Sequence, residues 1–298
     1  MSELRLFTIH EGKTTESRAA FYKLEREVQN LFEANLESLL GVRFVASEFS
    51  TGQGGRIDTL GIDENGFPVI IEYKLDKNRT VINQGMAYMA WLRGNKDAFW
   101  RIVFNKLGQE VADSIDHSST RLICIATDFS RDDLGAYELM PSSIDLVRYR
   151  RFGESQLLLE RITSSEMTPV AGGGSTPSKS GPDKPISQVL EEANPTTKAL
   201  FEGLKETIMS QGEDVSEKAT KLYLAYKRTR NFATIVAKKD ELLLFLHLNP
   251  DEVELTDSMR DVRSIGHWGT GDLEIKIRRL EDVAQAEQLI AQAYEGQS

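Results

Sequence analysis

One stretch decides how the first part of this chain folds: GRIDTLGIDENGFPVIIEYK, residues 55–74. Its two runs GRIDTLGID and PVIIEYK are predicted strands, and Glu64-Asn65-Gly66 between them is typical of a tight hairpin turn. The second strand is apolar enough to be covered on both faces, yet it ends in Glu72 and Lys74. Charges there are costly unless the strand emerges into water or the charges have a function.

The charges around this strand end have the composition of a metal site. Side chains alternate along a strand, so Glu72 and Lys74 point to the same face, and Asp58 on the partner strand can reach that face. Two adjacent carboxylates repel each other unless a cation lies between them. Mg²⁺ and Mn²⁺ accept such oxygen ligands and keep positions for water and phosphate. The pattern therefore predicts Mg²⁺ or Mn²⁺ at Asp58 and Glu72, with Lys74 next to the attacking water.

The spacing of these residues resembles a known family. Asp58 followed by Glu72-Tyr73-Lys74 at the end of an apolar strand is similar to the D…ExK core of the PD-(D/E)xK nuclease superfamily. Gln84 and Tyr88, four residues apart, match the QxxxY element of RecB-like and λ-exonuclease-like members. Glu25 resembles the acid that those members contribute from their first helix. The stretch also resembles the nuclease module of NucS-type endonucleases.

The resemblance implies a fold and an activity. The expected fold is an α/β restriction-endonuclease-like core, a mixed sheet flanked by helices, followed by a smaller α+β C-terminal domain. The expected activity is hydrolysis of phosphodiester bonds in DNA with Mg²⁺ or Mn²⁺. Asp58 and Glu72 would bind the metal, Glu25 would be an outer or second-site ligand, and Glu48 fits a further acidic position.

The remaining site residues follow from the same resemblance. Lys74 would assist the attacking water, and Gln84 and Tyr88 would orient the lysine, the water or the scissile phosphate. The candidates for contacts with the DNA backbone are Arg56, Lys77 and Arg79.

Each of these residues also has a plain structural interpretation. Glu72 and Lys74 can be a surface pair at a strand end, and Gln84 and Tyr88 can be helix surface and core edge. Glu25 can be a solvated helix residue, with Glu27 as its nearest rival for the metal. At the level of the whole protein, the alternatives are a nuclease-fold DNA-binding protein without catalysis and an interaction protein that does not bind nucleic acid.

The charge balance limits the kinds of partner. The 298 residues include 36 Lys and Arg and 46 Asp and Glu, which gives a net charge of −10. Such a chain does not coat nucleic acid or membranes by bulk electrostatics, although a local basic groove remains compatible with it. No apolar run approaches the roughly 20 residues of a membrane span, no secretory signal is present, and Cys124 is the single cysteine. We expect a cytoplasmic protein with DNA and no membrane as its partner, and a homodimer is left open.

Composition divides the chain into two domains. Residues 163–185 are rich in Gly, Ser, Thr and Pro, which predicts a flexible linker between a nuclease-like domain over 1–162 and a small α+β domain over 186–298. In the first domain we expect helices over 17–40, over 80–92 and up to about residue 108, with strands in RFVASEF, RLICIATDF, IDLVRYRRF and QLLLERI.

The second domain has no assigned role. Its stretches LAYKRTRNFATI and RDVRSIGHWGTGDLEIKI resemble a small uncharacterised domain that follows nuclease modules in bacterial proteins. One interpretation is substrate recognition, with basic residues for phosphate contact and aromatic residues for base stacking. The alternative is a protein-partner or dimerisation role. The residues that suggest recognition are Lys227, Arg228 and Arg230 beside Tyr223, Tyr226 and Phe232, and the loop of His267 and Trp268.

Overall fold

The computed structural model describes residues 5–52, 55–75, 81–138, 144–162, 185–264 and 269–296. The chain divides into two compact units, residues 1–171 and 172–298. The predicted linker lies outside the described residues except for Pro185, so its flexibility and its boundaries stay predictions.

The first unit alternates strands and helices. Its elements in chain order are β1 (Leu6–His10), β2 (Lys13–Ser17), β3 (Ala19–Ala20), α1 (Glu25–Glu33), α2 (Leu36–Leu40), β4 (Val42–Ser50), β5 (Arg56–Asp63), β6 (Pro68–Lys74), α3 (Val81–Gly94), α4 (Lys96–Leu107), α5 (Gln109–Asp113), β7 (Arg121–Ala126), α6 (Arg131–Glu138), β8 (Ile144–Phe152) and β9 (Gln156–Ile162).

These strands form one mixed sheet and a separate hairpin. The seven-stranded sheet has the order β3-β8-β7-β6-β5-β4, and β9 pairs with β8. The β6–β7 and β7–β8 pairs are parallel, while the β4–β5 and β5–β6 pairs are antiparallel. Strands β1 and β2 pair only with each other in the described residues. The prediction of a mixed sheet flanked by helices is confirmed.

Strand β6 lies at the centre of this sheet and is covered on both faces. Ile71 packs in the same cluster as Phe32 of α1, whereas Ile70 packs with Ile82 of α3. Burial of one such side chain contributes roughly 1.5–3 kcal/mol. The apolar run of this strand therefore packs against helices on both faces of the sheet. Glu72 and Lys74 lie at the C-terminal end of the strand.

The predicted β5–β6 hairpin is confirmed. Its ladder runs from Thr59 opposite Ile71 to Ile62 opposite Pro68. Gly66 in the turn has φ +79°, and a Cβ there would lie 2.7 Å from the backbone oxygen of Ser114, so both the conformation and the space require glycine.

The predicted helix over 17–40 is wrong at its start and in its middle. Ser17 ends β2, and the first helix begins only at Glu25. The carboxylate of Glu27 accepts the backbone N–H groups of Lys23 and Leu24 at 2.9 and 3.1 Å, which fixes this start. The helix then breaks before α2, so the apolar spacing continues across two short helices.

The second unit is an antiparallel sheet with helices. Its strand order is β10-β11-β12-β13-β15-β14, and α7, α8 and α9 contribute to its apolar core. The elements are α7 (Ile186–Glu192), α8 (Pro195–Met209), β10 (Ser216–Ala219), β11 (Leu224–Lys227), β12 (Asn231–Ala237), β13 (Leu242–Leu246), a 3₁₀ helix (Pro250–Glu252), β14 (Met259–Asp261), β15 (Leu273–Ile277) and α9 (Leu280–Glu295).

The aromatic residues proposed for base stacking are mostly core residues. Tyr226 and Phe232 are both 0% exposed in the core of the second unit, so the stacking interpretation is wrong for them. The Arg228 guanidinium lies 2.6 Å from the Asp214 carboxylate and over the ring of Tyr294, which ties α9 to the sheet. His267 and Trp268 lie outside the described residues.

None of the helices in the described ranges is long and apolar enough to cross a membrane.

Candidate active site

Asp58 and Glu72 meet where the β5–β6 ladder ends. Beyond the Thr59–Ile71 pair, backbone N–H groups of the two strands donate to side-chain carboxylates. The backbone N–H of Asp58 donates to Glu72 Oε1 at 3.2 Å, and the N–H of Tyr73 donates to Asp58 Oδ2 at 3.1 Å. Each carboxylate is thus fixed by the backbone of the partner strand, and the two side chains are held next to each other.

Glu72 of this pair is buried, Asp58 is half-buried, and Lys74 is the positive charge that acts on both. Glu72 is 0% exposed, and its Oε2 is buried without a hydrogen-bond partner among the described residues. Burial, followed by the charge of Asp58, raises the pKa of Glu72 to about 8. Burial also raises the pKa of Asp58, against the Tyr73 N–H and Lys74, which lower it. A cation next to the pair would remove this cost of ionisation.

Lys74 and Glu25 lie at the same strand end. The Lys74 side chain is 11% exposed, and its Nζ lies 3.8 Å from Glu25 Oε2. Glu25 Oε1 accepts the backbone N–H of Leu75 at 3.2 Å. The first residue of α1 therefore reaches the end of β6 as a partner of Lys74, and its role as a metal ligand stays a prediction.

Gln84 and Tyr88 connect α3 to the start of β5. Gln84 Nε2 donates to the Tyr88 hydroxyl at 3.1 Å, and this hydroxyl also accepts the backbone N–H of Arg56 at 3.1 Å. A Cβ on Gly55 would lie 2.8 Å from the Tyr88 ring, so glycine permits this approach. The two helix residues hold the backbone two positions before Asp58, and the hydroxyl proton of Tyr88 is left for a further acceptor.

A hydrogen-bonded group next to the site was not found from the sequence. Gln29 of α1 is 4% exposed, and its amide donates to the backbone oxygen of Asp58 at 2.8 Å and to Glu33 at 2.9 Å. Glu33 accepts the Thr59 hydroxyl at 2.6 Å. The available signal was the spacing of four that places Glu25, Gln29 and Glu33 on one helical face. A helical glutamine is normally taken as solvated, so this signal was missed.

The predicted DNA contacts are only partly described. Arg56 is the first residue of β5. Its side chain is 67% exposed, and its Nε lies 2.5 Å from Glu48 Oε2. Lys77 and Arg79 lie outside the described residues, so their roles stay predictions.

The oxygens of the carboxylate pair fit a hard divalent cation. Glu72 Oε2 accepts no hydrogen bond from any residue that the structure describes, and Mg²⁺ is commonly bound through one or two carboxylates with water and phosphate oxygens in its other positions. Within the described ranges, no group of three or more His, Cys, Asp or Glu side chains is arranged to hold a metal. Among the described side chains, Asp58 and Glu72 are the candidate ligands that lie next to each other, and Glu25 stays a predicted further ligand.

Comparison with family models and curated proteins places the chain in a family. Residues 186–297 match the family described as a domain of unknown function, DUF5655. Over 302 residues, covering 97% of this chain and 99% of the relative, the sequence is 30% identical to an uncharacterized protein of Haemophilus influenzae. The chain belongs to the same family as that protein.

Comparison with solved structures returns endonucleases at low similarity. A crystal structure of a repair endonuclease from Pyrococcus abyssi is 15% identical with a TM-score of 0.26, and the match covers 43% of this chain and 48% of that one. The structure of an EndoMS–dsDNA2 complex is 20% identical with a TM-score of 0.25 and coverages of 45% and 51%. The chain thus spans about half the length of the solved structures that it matches.

Proposed function

We propose that the first unit is a nuclease of the PD-(D/E)xK type that hydrolyses phosphodiester bonds in DNA with Mg²⁺ or Mn²⁺. The observation that carries this proposal is Glu72 Oε2, which is buried next to Asp58 and has no hydrogen-bond partner in the described part of the chain. A carboxylate pair with a raised pKa and no ion pair is unfavourable for folding alone, whereas it suits a site that receives a cation.

The chain's own residues have distinct parts in this reaction. Asp58 and Glu72 would hold the ion, which supplies Lewis acidity for a water and a phosphate oxygen. Lys74, oriented by Glu25, carries the positive charge that positions the attacking water and offsets the negative charge that builds on phosphorus. Tyr88, oriented by Gln84, keeps a hydroxyl proton available for a phosphate oxygen.

A second candidate function is a nuclease-fold protein that binds DNA without cutting it. The observation that favours it is the small ligand set, since the described side chains form no group of three metal-binding residues. Both candidates predict DNA binding, and only the first predicts cleavage.

The deciding experiment measures cleavage by the purified full chain with Mn²⁺, with Mg²⁺ and with EDTA. Glu72→Gln and Lys74→Met are expected to reduce cleavage by about 10²-fold or more, because each removes a charge that acts on the reacting phosphate. Glu37→Gln, an exposed change on α2, is the matched control and should cut like the wild type. Cleavage that survives both site changes would place the activity elsewhere, and no cleavage with any metal would favour the second candidate.

A further inference from the structure

Glu48 has an unusual backbone conformation next to the carboxylate pair. Its φ is +53°, in the left-handed region, although it lies inside strand β4. The neighbouring pairs, Ser47 opposite Thr59 and Phe49 opposite Ile57, place it beside Asp58 on β5. Among the described non-glycine residues, only Glu11 also has a positive φ, and Glu11 lies in the turn between β1 and β2. A strained residue inside a strand persists only where its surroundings hold it, and such residues cluster at functional sites.

The Glu48 side chain joins two arginines from different elements. Arg26 Nη1 lies 3.0 Å from Glu48 Oε1, and Arg56 Nε lies 2.5 Å from Glu48 Oε2. Arg26 follows Glu25 on α1, and Arg56 lies two residues before Asp58 on β5. Each arginine is therefore close in sequence to a residue of the candidate site, and Glu48 brings their guanidiniums to one carboxylate.

These ion pairs do not account for the strained backbone through stability. The side chains of Arg26 and Arg56 are 56% and 67% exposed, and ion pairs between exposed side chains contribute little to folding. Each guanidinium has five N–H donors, and the contact with Glu48 leaves donors on both for another anion. The geometry thus presents two cationic groups with unused donors towards solvent.

The position of Arg56 is also set by the candidate site. Its backbone N–H donates to the Tyr88 hydroxyl, which is held by Gln84. Arg56 is thus fixed at its backbone by α3 and at its side chain by Glu48, which lowers the entropy cost of ordering it around a ligand.

We propose that Arg26 and Arg56, held together by Glu48, form a clamp for a phosphate of a nucleic-acid strand next to Asp58 and Glu72. Guanidinium groups match phosphate oxygens in geometry and charge, and two of them offset the repulsion that the carboxylates exert on a phosphodiester. Glu48 is a positioning residue. The inference rests on the proposed function, since it names how the substrate strand would be held at the same site.

Salt-dependent binding tests the clamp without any cleavage. The full chain is titrated into a fluorescein-labelled DNA duplex, and separately into one of its strands, in EDTA and in Ca²⁺ at several salt concentrations. Arg26→Gln and Arg56→Gln are each expected to reduce the steepness of log K against log salt on the duplex by up to about 0.9, the value for one neutralised phosphate, because each removes one of the two charges that hold it. Arg26→Lys should keep the wild-type slope at lower affinity, since it retains the charge without the planar fork.

The matched control is Arg93→Gln, which makes the same charge change on an exposed part of the same unit. Arg93 lies in the last turn of α3, nine residues after Gln84 and hence about 14 Å further along the helix axis. Its slope should equal that of the wild type. Thermal unfolding of each variant verifies that it is folded.

The role of Glu48 is tested by a double-mutant cycle. If both arginines act through one carboxylate, the affinity loss of the double variant differs from the product of the two single losses by about threefold or more. In a Glu48→Gln background, the two losses should become multiplicative.

The outcomes separate the clamp from the catalytic proposal. The clamp is overturned if Arg26→Gln and Arg56→Gln keep the wild-type salt slope. It is also overturned if the two affinity losses are multiplicative with Glu48 present as well as in the Glu48→Gln background, even if the protein cuts DNA. Failure of the wild type to bind either DNA in EDTA or Ca²⁺ overturns it as well. The expected slopes in a chain that never cuts with Mn²⁺ would support the clamp and count against catalysis.

Discussion

Two pairs of carboxylates lie in the same sheet, and they differ in their partners. Asp63 and Asp145 share the guanidinium of Arg121, at 3.0 and 2.9 Å. Asp58 and Glu72 form no ion pair with a lysine or arginine of the described chain, and they accept backbone N–H groups instead. The first pair, which we call the closed pair, is neutralised by Arg121. The second pair, which we call the open pair, would be completed by a bound cation under the proposed function.

The electrostatics of the two regions differ accordingly. Burial acts to lower the pKa of Arg121, but Asp145 and Asp63 more than reverse this, so its pKa is raised and it stays charged. Burial, followed by the charge of Asp58, raises the pKa of Glu72, and the Asp58 N–H and Lys74 offset this rise only in part. The comparison teaches that burial of an acid alone does not mark a candidate functional site, whereas burial of an acid without an ion-pair partner does.

The largest stability effect is expected at the closed pair. Arg121→Met should lower the free energy of unfolding by about 3–5 kcal/mol, because it leaves Asp63 buried without its cation and leaves Asp145 with only the longer contact to Arg161 at 3.4 Å. The measurement is hydrogen exchange of the β6 and β7 amides, with the exposed change Arg93→Met as control. A variant as stable as the wild type would show that the ion pairs of Arg121 do not stabilise the fold.

At the open pair, a divalent cation is expected to stabilise the protein. Mn²⁺ at 100 times its dissociation constant should add about 2.7 kcal/mol to the stability of the wild type. Glu72→Gln should be more stable than the wild type without metal and should gain little from Mn²⁺, since it lacks the buried charge. Thermal unfolding with and without Mn²⁺ measures both. An equal gain in the variant would place the ion elsewhere.

The open pair also predicts a pH dependence with a definite sign. The pKa of Glu72 is about 8 in the folded chain against an ordinary value of 4.5, so the folded chain holds the extra proton between these values. The contribution of Glu72 to the free energy of unfolding is then fully present below about pH 4.5. It is lost as the pH rises to about 8, by up to about 1.4 kcal/mol per pH unit. Glu72→Gln should flatten this slope in chemical denaturation. Identical slopes in both proteins would contradict the assignment.

The smallest effect is expected at the edge of the open pair. Tyr88→Phe keeps the packed ring but loses the hydroxyl that accepts from Arg56 and Gln84, which should cost about 1 kcal/mol in stability. Cleavage should fall less than in Glu72→Gln, because no charge is removed. Met89→Leu, a core change on the same helix, controls for altered packing. A loss of cleavage as large as that of Glu72→Gln would give Tyr88 a more direct part in the reaction.

Local patterns in the sequence determined the elements that carry the site. The Asn65-Gly66 turn requires a left-handed glycine, and the apolar run of β6 requires cover on both faces, so the hairpin with Asp58 and Glu72 followed from adjacent residues. The spacing of Gln84 and Tyr88 placed them on one helical face, where the structure brings them together. The metal-binding roles of Asp58 and Glu72 and the catalytic roles of Gln84 and Tyr88 stay predictions.

Only the tertiary structure decided which of the remaining polar residues lie together. Gln29 contacts Asp58 across 29 residues, Arg26 meets Glu48, and Arg121 joins Asp63 to Asp145 across 58 and 24 residues. Conversely, Tyr226 and Phe232 resembled a stacking surface in sequence and lie in the core. The physical reason is that periodicity states which face of an element a side chain occupies, whereas the residue it meets there depends on how distant segments pack.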